Sequence, residues 1–575
     1  MLDLTKLEGA LRPIYNILPG WAKRLVQGIY FTAKSWSHRK WIKQRLAARE
    51  KFYPAQNEPG LFSVLTTAWN TPVKYLHILA ESLFAQAKLQ DFEWVLLDNG
   101  TTNPDTRRYL EDLARRHPEV KFFRVEENLG IIGGMRLCLE QATGRYIVPV
   151  DSDDYLYPDS LSIIAWYIRK HNYPKALYSD EDKLKDNRPL SPYFKPDWDP
   201  VLFTDSCYIA HLCSFDRQRA LELLVYSSND ANGSHDWDTY FRFWLSGEDP
   251  VHVPEILYSW RMHEASAAQN IDSKSYIFDS QHAVLQRYID SLEHPERFQL
   301  LPSQVCSIHT HAVMSWVRRK HIEGAPLTVI LVKEFNKELA PVLLQDVYPK
   351  SQIIKVPMDR GLCGLRDAVR QLDSKEGMIA VVSDRLLIES YDWPWEALGI
   401  FERFHDTAMV GGLIYGYDGK VLDGGIHFGF SEGFGCPERG SIFANAGYFA
   451  KLWVCQSVSC VNTMFCVFDG KFLASILEAG DWMRDSLLLM GPWAAVHARR
   501  AGRRVVFCPT LRAKTFLNWL DLLSPEDKSR FMEMNPDCFP DHRYYHQLLS
   551  EQAARAFIAG STQMPIVFKD DNIAH

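Results

Sequence analysis

A weak self-similarity limits what this chain can fold into. Shifted by 231 residues, NLGIIGGMRLCLEQATGRYIVPVDSDD lies over DRGLCGLRDAVRQLDSKEGMIAVVSDR, with Gly130 over Gly361, Gly133 over Gly364 and Asp153 over Asp384. The two segments also share their apolar pattern. A chain of 575 residues exceeds what one core supports, since single cores stop growing at roughly 250 to 300 residues. The repeat therefore predicts two copies of one plan, the second starting near Pro326. The expected division is a basic N-terminal segment (1–55), a first domain (56–310), a linker (311–325) where a charged RRKH run meets Gly324, and a second domain (326–575).

The first copy reads as alternating strand and helix. Strands are expected at Leu61–Thr67, Trp94–Leu97, Lys121–Val125 and Tyr146–Val150, with helices between them through about Ala87, over Asp105–Arg116 and over Gly133–Ala142. Such alternation implies an α/β fold with a parallel sheet. Ligands of these sheets sit at the carboxyl ends of the strands, so the turns after each strand are the places to look for chemistry.

Charge is unevenly spread. Residues 1–51 hold eleven Lys and Arg against Asp3, Glu8 and Glu50, a net of +8, which leaves −15 for the rest of a chain whose formal charge is −7. Trp21, Leu25, Val26 and Ile29 recur at helical spacing beside Lys23 and Arg24, a pattern that suits an amphipathic helix on an anionic membrane surface and equally a cap packed on the protein. No apolar run approaches the roughly 20 residues that span a bilayer, and no signal peptide is evident. The expectation is a cytoplasmic protein, peripheral at most on the inner face of the membrane. Basic residues concentrate outside the sheet motifs, which disfavours nucleic-acid binding. The eleven cysteines lack a CxxC pair and read as buried thiols rather than a disulfide framework.

The carboxylate run Val150-Asp151-Ser152-Asp153-Asp154 follows an apolar strand. Magnesium-type ions are held by one or two carboxylates plus substrate phosphates, and Asp is also a good helix cap; both readings stand for the run alone. Thr66, Thr67, Ala68 and Asn70 follow the first strand, and Asp98, Asn99 and Gly100 the second. Gly130-Ile-Ile-Gly-Gly134 opens a helix, whose free N–H groups favour a phosphate, though its glycine order is not the dinucleotide fingerprint.

Taken in order, FSVLTTAWN, VLLDNGTT, NLGIIGGMR, VDSDD, YSDEDK, SPYFKPDWDP, GSHDWD and YSWRMHEAS resemble family 2 inverting glycosyltransferases of the GT-A (nucleotide-diphospho-sugar transferase, Rossmann-like) fold. They look most like bacterial enzymes of O-antigen and surface polysaccharide synthesis, including tandem members with a second, degenerate GT-A-like domain. The resemblance covers about residues 60 to 275. It implies a nucleotide-sugar donor met by Thr67, Asn70, Asp98, Asn128, Gly130, Asp151 and Arg261, and a glycan or lipid-linked oligosaccharide acceptor. It implies Mg²⁺ or Mn²⁺ on Asp153 and His263, and Asp236 as catalytic base. Where the family often has an acid, this chain has Asn99. Asp180, Glu181 and Asp182 lie beside the family's donor pocket, although a salt-bridged loop explains them as well. Phe194 and Trp198 are either acceptor-shaping rings or core, Asp238 is read as structural, and Ser266 is a weaker phosphate contact.

At the repeat shift Asp151 falls on Val382, and the segment resembling GSHDWD is LMGPWAAVHARRAG, without an acid at the base position. The second copy is expected not to transfer sugar, and to support the first or hold acceptor. Two other readings remain open: a bifunctional enzyme with two active halves, and a non-catalytic nucleotide-sugar-binding scaffold.

Overall fold

The computed structural model describes residues 38–263, 276–302, 315–333, 344–431, 433–443, 446–479 and 487–549. The amphipathic pattern at residues 21–29 and Ser266 lie outside them. The chain forms two compact units. Among the described residues the first comprises 38–198 and 209–284, the second 199–208 and 285–549. The division thus falls between Val284 and Leu285, and residues 315–319 are a strand, paired antiparallel with Phe298–Pro302, inside the second unit. Residues 199–208 join the second unit because Asp199 accepts hydrogen bonds from the Ser457 amide (2.6 Å) and hydroxyl (2.7 Å), and Asp205 from the Cys455 amide (2.9 Å).

In the first unit, residues 38–52 are helical (α1). Then follow β1 (Phe62–Ala68), α2 (Val73–Gln86), β2 (Phe92–Asn99), α3 (Pro104–Arg116), β3 (Val120–Val125), α4 (Gly130–Gln141), β4 (Tyr146–Pro149), β5 (Tyr155–Leu156), α5 (Ser160–Lys170), β6 (Ala176–Lys185), β7 (Arg188–Tyr193), β8 (Cys213–Asp216), α6 (Arg217–Glu222), α7 (His235–Leu245) and β9 (Val251–Arg261). The sheet runs β3-β2-β1-β4-β8-β6-β9-β5, with β7 added on β6. The β1 to β4 half is parallel, β8 runs antiparallel between β4 and β6, and β6 and β9 are parallel. This is the GT-A type of α/β unit that the motif order implies. Its strands are near-continuous apolar runs because both faces are covered. Phe62 and Val64 of β1, Leu79 and Leu83 of α2 and Ile164 and Ile168 of α5 are at most 1% exposed, each such side chain contributing about 1.5–3 kcal/mol.

α1 changes the reading of the basic segment. Arg45 and Arg49, counted among its surface charges, are both 1% exposed and converge on Glu255 of β9, Arg45 at 2.5 and 3.1 Å and Arg49 at 2.8 Å, with the Tyr53 hydroxyl at 3.1 Å. Burial would raise the Glu255 pKa, but Arg49 and Arg45 outweigh it and hold the carboxyl below its usual range. Two cations on one acid are tolerable in the interior only with such complete pairing.

The second unit repeats the first sheet. Its strands run Ser351–Pro357, Leu327–Lys333, Met378–Ser383, Phe465–Asp469, Thr407–Gly416, Arg504–Thr515 and Leu387–Ile388. Leu327–Lys333 pairs parallel with both neighbours, Phe465–Asp469 is inserted antiparallel, and Thr407–Gly416 pairs parallel with Arg504–Thr515. This is the β2-β1-β4-β8-β6-β9-β5 order, without a counterpart of β3 among the described residues. Every described cysteine is a free thiol, most of them buried. No helix among the described residues is long and apolar enough to cross a membrane.

Candidate active site at the carboxyl edge of the first sheet

The loops after β1, β2 and β3 hold one another. Asn70 accepts from the amides of Thr102 (3.0 Å) and Asn103 (2.8 Å), which ties the β1 turn to the β2 turn. Asp98, fully buried at the end of β2, accepts from the Thr101 amide (2.9 Å) and faces Arg124 at 3.4 Å. Asn99 donates to Asn128 Oδ1 (3.1 Å) and to the Gly130 carbonyl (3.0 Å), and accepts from the Leu129 amide (3.0 Å). Its amide explains the departure from an acid: a carboxylate there would face two oxygens with no proton to offer. Gly100, at φ +77°, is required by close approach, since a Cβ would lie 2.6 Å from the Asn128 backbone nitrogen. Asn128 Oδ1 accepts from the Gly130 amide (2.8 Å) at the start of α4. Asn70, Asp98, Asn128 and Gly130 thus cluster around three linked turns, and Thr67 stands near the end of β1 that leads into the first of them.

The carboxylate run follows β4. The Thr71 and Ser152 hydroxyls are 2.7 Å apart, which joins these turns to it. Asp153 Oδ2 lies 2.6 Å from His263 Nε2, and Arg261 Nε donates to the Asp153 carbonyl. Asp154 is fully buried and accepts from the Tyr258 hydroxyl (2.6 Å) and the Arg261 amide (2.7 Å). Asp151 is the most open, its side chain 51% exposed. Burial first, then the neighbouring Asp151 charge, pushes the Asp153 carboxyl up, and Asp154 is raised further by burial and by both neighbours. Three acids within four residues, two of them desolvated, make a place where a cation is favourable.

Two residues without a sequence signal organise this corner. Tyr75, in the first turn of α2, carries the Arg261 guanidinium over its ring (4.6 Å) and stacks on His263 (5.5 Å). His211 stacks on Tyr258 (4.8 Å), with Nδ1 3.4 Å from Glu181 and Nε2 3.9 Å from Asp151. Burial opposes a proton there, but the two carboxylates outweigh it and raise the His211 pKa well above the histidine range. The oxygen and imidazole donors on hand, Asp153 with His263 and Asp151 with Asp154, suit a hard or borderline divalent ion, while His211 keeps its proton between Glu181 and Asp151. Asp154 is the weakest contributor, because two hydrogen bonds already occupy it.

Asp236 sits in the first turn of α7, 25% exposed, with His235 Nε2 at 3.5 Å. Its charge and that of Asp151 both act on the buried Tyr226 hydroxyl and Cys213 thiol, pushing each up after burial itself. Asp238 turns away and binds Arg242 at 2.7 Å, a helical i,i+4 pair. The YSDEDK acids lie on β6, not in a loop. Asp180 takes His252 (3.0 Å) and the Lys195 amide (2.8 Å), and Asp182 takes His38 (2.7 Å) and the Tyr157 hydroxyl (2.7 Å). Only Glu181 of the three reaches the site, through His211. Phe194 is 1% exposed, edge-on to Trp41 at 5.6 Å, and is core.

Comparison with known proteins points to one family. Residues 63–221 match the family described as Glycosyl transferase family 2. The uncharacterized protein y4gI of Sinorhizobium fredii is 26% identical over 546 residues, 87% of this chain and 57% of that one. O-antigen biosynthesis protein RfbC of Myxococcus xanthus is 25% identical over 225 residues, 39% of this chain and 18% of its own length. Chondroitin synthase of Escherichia coli is 27% identical over 216 residues, 37% of this chain and 30% of its own length. The chain spans little more than half of the first relative and under a third of the other two.

Proposed function

We propose that the first unit, whose residues 63–221 match the family described as Glycosyl transferase family 2, moves a sugar, with inversion, from a nucleotide-sugar donor to a glycan acceptor. One observation carries the reading: Asp151, Asp153, Arg261 and His263 meet at one strand edge, and Asp236 and Asp151 both act on the buried Tyr226 hydroxyl.

In a single displacement the acceptor hydroxyl must lose a proton as it attacks the anomeric carbon, while charge builds on the departing diphosphate. Asp236 is the base, partly exposed, with only His235 Nε2 beside it at 3.5 Å among the described residues. Such a group contributes about 10² to 10⁴ in rate. A divalent ion, Mg²⁺ or Mn²⁺, supplies charge neutralisation at the diphosphate when bound, and Asp153 and His263 are the residues that would hold it. Arg261, fixed by Tyr75 and the Asp153 carbonyl, offers a guanidinium to the same oxygens. The turns at Thr67, Asn70, Asp98 and Asn128 to Gly130 take the nucleotide. Relatives named for O-antigen and chondroitin synthesis support a polysaccharide or lipid-linked acceptor. The basic N-terminus supports work at an anionic membrane surface on its cytoplasmic side.

The test is turnover of a panel of UDP-, dTDP- and GDP-sugars, with and without Mn²⁺ or Mg²⁺, with the product's anomeric configuration read by NMR. Metal-dependent transfer with inversion is expected. Donor binding without turnover, with lipid-linked acceptor supplied, would favour the scaffold reading instead.

A further inference from the structure

The two sheets differ at the strand ends that carry Arg261 and His263 in the first unit. Helices His235–Leu245 and Met490–Arg500 are both 11 residues long and align at an offset of 255 residues. At that offset Phe516 stands for Arg261 and Asn518 for His263. Asn518 caps the short helix Trp519–Leu522, accepting from the Leu520 amide. Phe516 does something else. Thr407–Gly416 and Arg504–Thr515 pair in parallel with Tyr415 opposite Lys514 and Gly416 opposite Thr515, so Tyr417 and Phe516 emerge side by side. Their rings stack at 4.1 Å and 18°, yet Tyr417 is 51% and Phe516 88% exposed. Two residues back along the same strands, Lys514 lies over the Tyr415 ring at 5.4 Å, and Tyr415 stacks on Phe443 at 4.7 Å and 15°.

An aromatic ring left this open gains nothing for folding, and an ordered pair of them marks a binding surface. The rim names its chemistry. Lys514 pairs with Glu389 at 2.5 Å and Lys420 with Asp418 at 2.9 Å, and Arg512 also acts on Glu389 and Tyr415, so the ring stack is flanked by polar, largely paired groups. A neutral sugar ring does fit: its C–H face packs on the exposed aromatic face, and its hydroxyls meet the Lys and Glu at the edge. The stack is already formed, which lowers the ordering cost of binding.

We propose that Tyr417 and Phe516 form a saccharide-binding platform on the second unit, which holds a neutral glycan by stacking where the first unit carries its diphosphate-facing residues. That the glycan is the acceptor chain rests on the glycosyltransferase reading above; that the platform binds sugar does not. The second unit, lacking a base, then has a use of its own in holding substrate.

The experiment is calorimetric titration of the full chain with delipidated surface polysaccharide of the organism that makes it and with chitohexaose. F516S and Y417S should each weaken binding about tenfold, the worth of one aromatic contact, with unchanged thermal melting because both rings are exposed. F516Y should bind like the wild type. D236N should also keep full glycan affinity while losing transfer, so failure of the catalytic reading and failure of the platform give different results. Three outcomes overturn the proposal: no binding of either glycan by the wild type, equal affinity in F516S and wild type, or concentration-dependent self-association that F516S abolishes, which would make the rings a contact between copies.

Discussion

The two sheets of this chain share a strand order and differ in what stands at the strand ends. In the first, the turn after β4 carries Asp151, Asp153 and Asp154, the end of β9 carries Arg261 and His263, and α7 begins with Asp236. In the second, Val382 falls on Asp151 at the 231-residue sequence shift, Phe516 and Asn518 stand for the β9 pair at the 255-residue offset, and Gly491 holds the place of Asp236 in a helix of the same length. That glycine is enforced. A Cβ there would lie 2.6 Å from the Val461 carbonyl oxygen and 2.9 Å from Thr463 Oγ1, so no side chain, acidic or otherwise, fits without moving backbone. The topology decides where a site would be, and a handful of strand-end residues decide whether there is chemistry in it.

The largest expected effect separates the units by stability. Glu255→Ala leaves Arg45 and Arg49 buried without their acid, a loss of about 3–5 kcal/mol readable as a lower midpoint in urea. A midpoint near that of the wild type would mean the arginines find water. Next, Asp153→Ala should reduce transfer by about 10² to 10³, as removal of one preorganised electrostatic group does, and shift the metal concentration needed for half-maximal rate. Loss without any change in metal dependence would assign Asp153 to donor binding alone.

A smaller effect contrasts two buried histidines. Burial disfavours a proton on both. In the first unit Asp180 and Asp197 outweigh it and raise His252 to about 9, whereas in the second unit burial, aided by Lys451, pushes His427 down to about 3. His252 therefore stabilises fully below the unfolded value near 6.5 and loses that contribution as pH rises through about 9. His427 costs nothing above about 6.5 and destabilises progressively as pH falls toward about 3. Replacing His252 with Gln should cost on the order of 2 kcal/mol at pH 6 and little above pH 9. His427→Gln should instead flatten the acid side of the stability curve. Equal penalties for H252Q at pH 6 and pH 9.5 would show that its proton is not what holds the network. Smallest of all, Asp384→Ala should leave transfer within error of the wild type, although the same residue lies over Asp153 in the repeat. A large loss with folding intact would favour the bifunctional reading.

Much of this was legible in the sequence. The alternation of apolar runs and helical patterns gave the parallel half of the first sheet, and the 231-residue self-similarity anticipated the second. The motif order led to Asp151, Asp153, Arg261 and His263, which the fold brings to one corner. The antiparallel insertion of β8 was not legible, since its partners Tyr146 and Ala176 leave no local trace. Nor was the fate of Arg45 and Arg49, because the acid that pairs them stands more than 200 residues away and a buried cation looks in sequence like a solvated one. Tyr75 and His211 act through stacking and charge on residues from other segments. The division at Leu285 escaped for a similar reason: Phe298–Pro302 and Ser315–Arg319 pair only with each other, and so carry no signal of the sheet they adjoin.

The central claim, that the first unit alone is catalytic and uses Asp236 as its base, is tested most directly by sugar transfer in Asp236→Asn with donor, Mn²⁺ and acceptor at saturation. The account predicts a fall of about 10² to 10⁴ in turnover with donor affinity and melting unchanged. Turnover within a few-fold of the wild type would contradict it and move the base to another residue or to the second unit.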